Sequence, residues 1–199
     1  ISWQYPTIET ITGLLFLLIF NFNFSALGGP ASGGQFLTLI YFWIIFSLLI
    51  IIAVYDYYHQ IIPDKFVYSF IGLAFFGLII KNSDLMWSVI AGLTLFTFFA
   101  LMWLVSRGRW MGLGDAKLAL GIGWFLGLEK GILAVALAFW IGGIVGIFLL
   151  LWSKIGSGGQ YGMKSKIAFG PFLVLGAIAA FLAGDAIINL FLPTVFCCD

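Results

Sequence analysis

The chain has 199 residues, 63% of them hydrophobic and 9% charged, with a formal net charge of +1 and a mean hydropathy of +1.15. An ordinary soluble domain carries about 25% charged residues, so that class is excluded, and a charge this close to neutral leaves no basic surface to hold nucleic acid. Nothing alternates with the period of two of a transmembrane barrel; what remains is an all-α polytopic membrane protein, because helices satisfy their own backbone groups in lipid.

A short polar and aromatic stretch, Ile1 to Pro6, opens the chain, and Thr7 is expected to cap a first span that has Glu9 in its first turn. Because Ile1 is not a methionine, a segment is expected to be missing upstream, and no signal peptide stands in what remains. The first span runs to about residue 24 and is broken by Gly28-Gly29-Pro30 and Gly33-Gly34. A second covers about 35–58, enough for a hydrocarbon core that needs about 20 residues. Gln60 to Pro63 makes a tight connection, and Asp64 is expected to cap a third span ending near Ile80. After the polar turn at Lys81-Asn82-Ser83-Asp84, a fourth span occupies about 85–105, and Ser106 to Gly114 forms the next loop.

The segment of about 115–128 is short for a crossing, and charge decides how to read it. If it crosses, Lys65, Arg107, Arg109, Lys117, Lys154, Lys164 and Lys166 fall on one side and only Lys81 and Lys130 on the other. If it does not cross, the bias nearly vanishes, so the positive-inside rule favours the crossing. About seven transmembrane helices follow, the last two over about 131–152 and 168–192. Asp56 and Asp115 then both lie at the cytoplasmic boundary. Asp115, Ala119, Gly123 and Gly127 recur every four residues, as do Ala134, Ala138, Gly142 and Gly146, and then Gly176, Ala180 and Gly184. Such stripes let membrane helices approach closely, so Asp115 is expected on a face packed against protein.

A carboxylate at bilayer depth costs about 2.5 to 3.5 kcal/mol on insertion scales, and it usually lines a polar cavity, finds a partner or does chemistry. Two that meet share a proton and divide the work of amide hydrolysis, one as base toward water and the other polarising the carbonyl. The one histidine, His59, and the adjacent Cys197 and Cys198 offer neither a serine triad, a cysteine-histidine pair nor a metal cage. Gly112 and Gly114, beside Asp115, are expected to bring the backbone close to an extended substrate or to support the loop.

Asp56 followed by Gln60-Ile61-Ile62-Pro63-Asp64, and Gly112-Leu113-Gly114-Asp115-Ala116-Lys117-Leu118, resemble the bacterial type IV prepilin peptidase family, aspartic proteases of the GxGD type. Ile1 to Pro6 with Glu9 and Thr12-Gly13-Leu14 is similar to that family's entry segment, and Phe169-Gly170-Pro171-Phe172-Leu173 with Leu175-Gly176-Ala177 to its final helix. The four stretches occur in the family's order over nearly the whole chain. The resemblance implies an endopeptidase of the bacterial inner membrane, with its catalytic face toward the cytoplasm and Asp56 and Asp115 in the catalytic positions. It further implies the leaders of prepilins or type II secretion pseudopilins as substrates, the lipid bilayer as surroundings and no nucleic-acid partner.

Many members of the family also methylate the new amino terminus and carry an N-terminal cytoplasmic domain, often with a zinc-binding cysteine quartet. The expectation here is a single membrane-embedded peptidase core over 1–199 without that domain. No cofactor or metal is expected for proteolysis, and S-adenosylmethionine only where methyl transfer is retained. A proton-coupled transporter using the two boundary aspartates is the alternative, marked by inverted repeats, and no repeated half is visible. The glycine-rich loop from Ser153 to Lys166 reads either as a mobile flap over the site or as a solvated linker.

Overall fold

The computed structural model describes residues 4–26, 33–81, 85–108, 111–155 and 168–191. They form helices throughout: α1 (Gln4–Ala26), α2 (Gly33–His59), α3 (Asp64–Lys81), α4 (Leu85–Ser106), α5 (Leu113–Ile155) and α6 (Gly170–Phe191). The chain divides into two compact units, Ile1–Ile51 and Ile52–Asp199, with α2 running through the boundary.

In the first unit α1 begins at Gln4, so Thr7 lies inside the first turn instead of capping it. Pro6 is tolerated there because the first N–H groups of a helix have no intrahelical partner to lose. Leu15 and Ile19, four residues apart, are buried, and Phe16 stacks on Trp43 of α2 at 5.5 Å between ring centroids. Ile45, Phe46 and Leu49 bury one face of α2.

The second unit is built on α5, which is two helices in one run. Gly127 has φ 80° and ψ −177°, a conformation essentially confined to glycine, and the chain folds back on itself there. A side chain added at Gly131 would come within 3.6 Å of the Gly123 Cα, whereas a straight helix separates residues eight apart by about 12 Å. The sequence boundary between a fifth and a sixth span therefore corresponds to a single-residue turn. Arm 113–126 lies between α3 and α4: Gly121 faces Phe70 and Ile71, and Gly123 meets the backbone of Ala91 and Gly92. Arm 128–155 packs on α6, where Gly176 sits against the backbone of Ala134 and Ala138, and Gly142 against Phe172.

The small-residue stripes thus do what lipid demands. Between membrane helices there is no hydrophobic gain to drive association, so close backbone approach supplies the contact. Two stripe members stand apart from this pattern: Gly127 is the turn itself, and a side chain at Gly146 would meet nothing within 4 Å. Phe139 bridges α4 and the residue that leads into α6, stacked on Phe99 at 6.1 Å and 5.1 Å from Phe169. Trp140, Ile144, Ile147, Phe148 and Leu151 point outward, as lipid-facing side chains do.

Among the described residues four helices are long and apolar enough to cross a membrane: Phe36–His59, Leu85–Ser106, Leu113–Leu149 and Gly170–Ile188. The expected count of seven goes beyond that measure, although the turn at Gly127 divides one of the four into two helices. Much of the loop from Ser153 to Lys166 lies outside the described residues, as do Cys197 and Cys198.

Candidate functional site

One end of the second unit gathers the C-terminal turn of α2, the connection into α3, and the N-termini of α5 and α6. Asp56 is three residues from the end of α2. Gln60 closes that helix with φ 53° while its N–H bonds the Asp56 carbonyl at 2.8 Å, the left-handed cap that glycine more often supplies. The chain then turns through Pro63, whose carbonyl accepts the N–H groups of Phe66 and Val67. That places Asp64 within the helix and not at its cap. Its carboxylate instead receives the Lys117 ammonium at 2.6 Å, and the same ammonium stands 4.9 Å from the centre of the Tyr68 ring.

Asp115 occupies the first turn of α5. Its N–H bonds the Gly112 carbonyl at 3.2 Å, and its Oδ2 accepts the Gly112 N–H at 3.1 Å. This is the returning half of a capping box, in which the third helical residue reaches back to the residue that opens the helix. Gly112 is the partner that closes it. Gly114 is needed for space: a side chain there would come within 2.8 Å of the Ile62 Cβ, so this glycine lets α5 lie against the α2–α3 connection. Asp115 Oδ1 is buried and has no hydrogen-bond partner among the described residues.

Asp56 is held in a parallel way by another helix. Its Oδ2 accepts the N–H of Gly170, the first residue of α6, at 3.0 Å. Each aspartate therefore gives one oxygen to a glycine N–H at a helix N-terminus, where unpaired amides and the helix dipole favour negative charge. Asp56 and Asp115 are 5% and 6% exposed, and they lie close enough for the charge of one to act on the other. His59 is directed elsewhere: its ring stacks on Tyr55 at 4.2 Å, and its Nδ1 lies 3.3 Å from the Tyr55 carbonyl. Among the described residues no three His, Cys, Asp or Glu side chains gather into a set able to hold a metal ion.

Residues 43–147 match the model of the type IV leader peptidase family. The chain belongs to that family. Relatives named prepilin leader peptidase/N-methyltransferase align with this leader peptidase family member along most of its length. The protein from Stutzerimonas stutzeri is 31% identical, over 94% of this chain and 61% of its own. The one from Legionella pneumophila is 32% identical, over 94% and 62%, and the one from Bacillus subtilis 29%, over 96% and 71%. The chain thus spans about three fifths of the length of the first and second of these. No solved structure matched it.

Gly170 is the site component that residue types alone did not single out, because its contribution is a backbone N–H and a missing side chain. The available signal was local: glycine followed by Pro171 ahead of an apolar run marks a helix start.

Proposed function

We propose that residues 1–199 act as the membrane-embedded core of an aspartic endopeptidase that removes the cytoplasmic leader of prepilins or pseudopilins, with Asp56 and Asp115 as its catalytic pair. The observation that carries this reading is the pair itself: two buried carboxylates, each anchored through one oxygen, with Asp115 Oδ1 without a partner among the described residues. Burying a carboxylate is costly unless it is hydrogen-bonded or paired with a cation, so two such groups at one end of the unit support a chemical role.

In the reaction, one carboxylate takes a proton from water as the water oxygen attacks the scissile carbonyl carbon, while the other, protonated, donates to the carbonyl oxygen. The tetrahedral diol collapses when a proton reaches the amide nitrogen and the C–N bond breaks. Anchoring by Gly112 and Gly170 fixes the carboxylate planes before substrate arrives, which removes part of the ordering entropy from the barrier. The peptide bond must be extended where it meets the pair, since a regular helix shields its own bonds. Lys65, Arg107 and Lys117 belong to the site end, which supports a cytoplasmic orientation in the bacterial inner membrane. S-adenosylmethionine has no part in the cleavage; it would serve only a separate methyl transfer, the second activity in the relatives' printed name.

Co-expression with a prepilin whose leader ends in glycine before an apolar helix tests the proposal. The wild-type chain shortens the substrate, whereas Asp56→Asn and Asp115→Asn each leave it at full length while accumulating normally in the membrane. Cleavage by either variant overturns the assignment.

A further inference from the structure

We propose that Gly170 is a positioning residue of the site, and that α6 holds Asp56 in place through the Gly170 N–H and the empty space where a side chain would be. Two separate observations meet at this residue. Its buried N–H is donated to Asp56 Oδ2 at 3.0 Å, across 114 positions of sequence. A Cβ built on Gly170 would also lie 2.5 Å from that same oxygen and 3.0 Å from the carboxyl carbon.

These distances leave no room for a side chain unless the Asp56 carboxyl or α6 moves. The φ of Gly170 is not positive, so backbone freedom is no reason for it. The reason is the carboxylate. Ordinary contact begins near 3.4 Å, so a single methyl group would push the Asp56 carboxyl away by about 1 Å or tilt α6 off it. A misplacement of about 1 Å can cost about 100-fold in rate. The rest of α6 does not depend on this residue: its first helical bonds run from Phe172 and Leu173 to the Phe169 carbonyl, and its seam with arm 128–155 is set further along by Gly176. The position of α6 is thereby transmitted to Asp56, as the first turn of α5 is to Asp115.

This inference rests on the aspartate pair being catalytic, and the experiment separates the two. In the full chain, in membranes or detergent, Gly170→Ala is expected to lower kcat about 10- to 100-fold and to change KM by less than about 2-fold, because the substrate is still bound but meets a displaced carboxylate. Gly143→Ala is the control; its added Cβ meets nothing within 4 Å, and it should leave both constants unchanged. If the Asp56→Asn and Asp115→Asn variants are inactive and Gly170→Ala behaves like Gly143→Ala, the role of Gly170 is overturned and the pair stands. If either Asn variant cleaves, both proposals fall.

A second measurement does not need the alanine variant to fold. Labelling phenylalanine carbonyl carbon and glycine nitrogen isolates the amides of the two Phe-Gly pairs, Phe76-Gly77 and Phe169-Gly170. In folded Asp56→Asn the Gly170 amide proton should move upfield as it loses a charged acceptor, while that of Gly77 stays. An unmoved Gly170 resonance overturns the contact.

Discussion

The described aspartates on this chain's helices divide into two kinds, and the contrast between them is more informative than either alone. Asp64 and Asp185 have side chains 61% and 68% exposed and hold lysines at 2.6 and 2.8 Å. Asp56 and Asp115 are almost fully buried and, among the described residues, meet no lysine or arginine. The distinction is not one of supply, because Lys117 follows Asp115 by two residues and turns to Asp64 instead. Burying a carboxylate without a cation costs about several kcal/mol if it stays ionised. Neutralised, exposed acids fasten helices together; in the proposed mechanism the buried pair is the one that exchanges protons.

The pH profile sharpens that contrast most. A pair that must hold one proton fails when it holds two, for want of a base, and when it holds none, for want of a donor. Cleavage should therefore trace a bell, falling about tenfold per pH unit beyond each limb, and its limbs belong to the pair as a unit. Asp64→Asn and Asp185→Asn should leave the shape of the bell unchanged in a steady-state assay. A sigmoid in place of a bell would mean that the two carboxyls do not act together.

A smaller effect is expected at the Lys117–Asp64 pair, which ties the start of α5 to the start of α3. Lys117→Met should slow cleavage by about 3- to 10-fold through a less firmly held Asp115, consistent with the modest worth of exposed ion pairs. Exchanging the two residues, Lys117→Asp with Asp64→Lys, should recover part of the loss. Recovery by exchange identifies the bridge, and no recovery would assign the effect to the lysine's packing on Tyr68.

The smallest effect belongs to Lys130–Asp185, which joins the turn end of arm 128–155 to α6. Asp185→Asn should shift unfolding in detergent by less than about 1 kcal/mol and leave cleavage untouched. A loss of activity there would blur the division between the two kinds of acid.

The helices were legible because apolar runs of membrane length are separated by polar or glycine-rich breaks, and the α3, α4 and α6 boundaries fall within two residues of the expected ones. The aspartates were legible because acids are conspicuous in such runs. Cap chemistry was not. Thr7 and Asp64 both suit a helix start, but α1 begins three residues earlier, and a lysine 53 positions away claims the Asp64 carboxylate. Local rules see only neighbours in sequence, and tertiary partners outbid them. Gly170 stands in one of the stretches that carry the family resemblance, but its contact with Asp56, made by an amide and a missing side chain, is not written in a residue type.

The turn at Gly127 gives the site a mechanical property. Asp115 stands at the tip of a rigid arm about 18 Å long, twelve residues at 1.5 Å each, whose pivot is one glycine at the opposite end of the bundle. The other arm leans on α6, whose tip holds Asp56. A change of about 3° at that pivot corresponds to about 1 Å at the Asp115 end of the arm, and the packing of the arm on Ile62, Phe70 and Ile71 resists it.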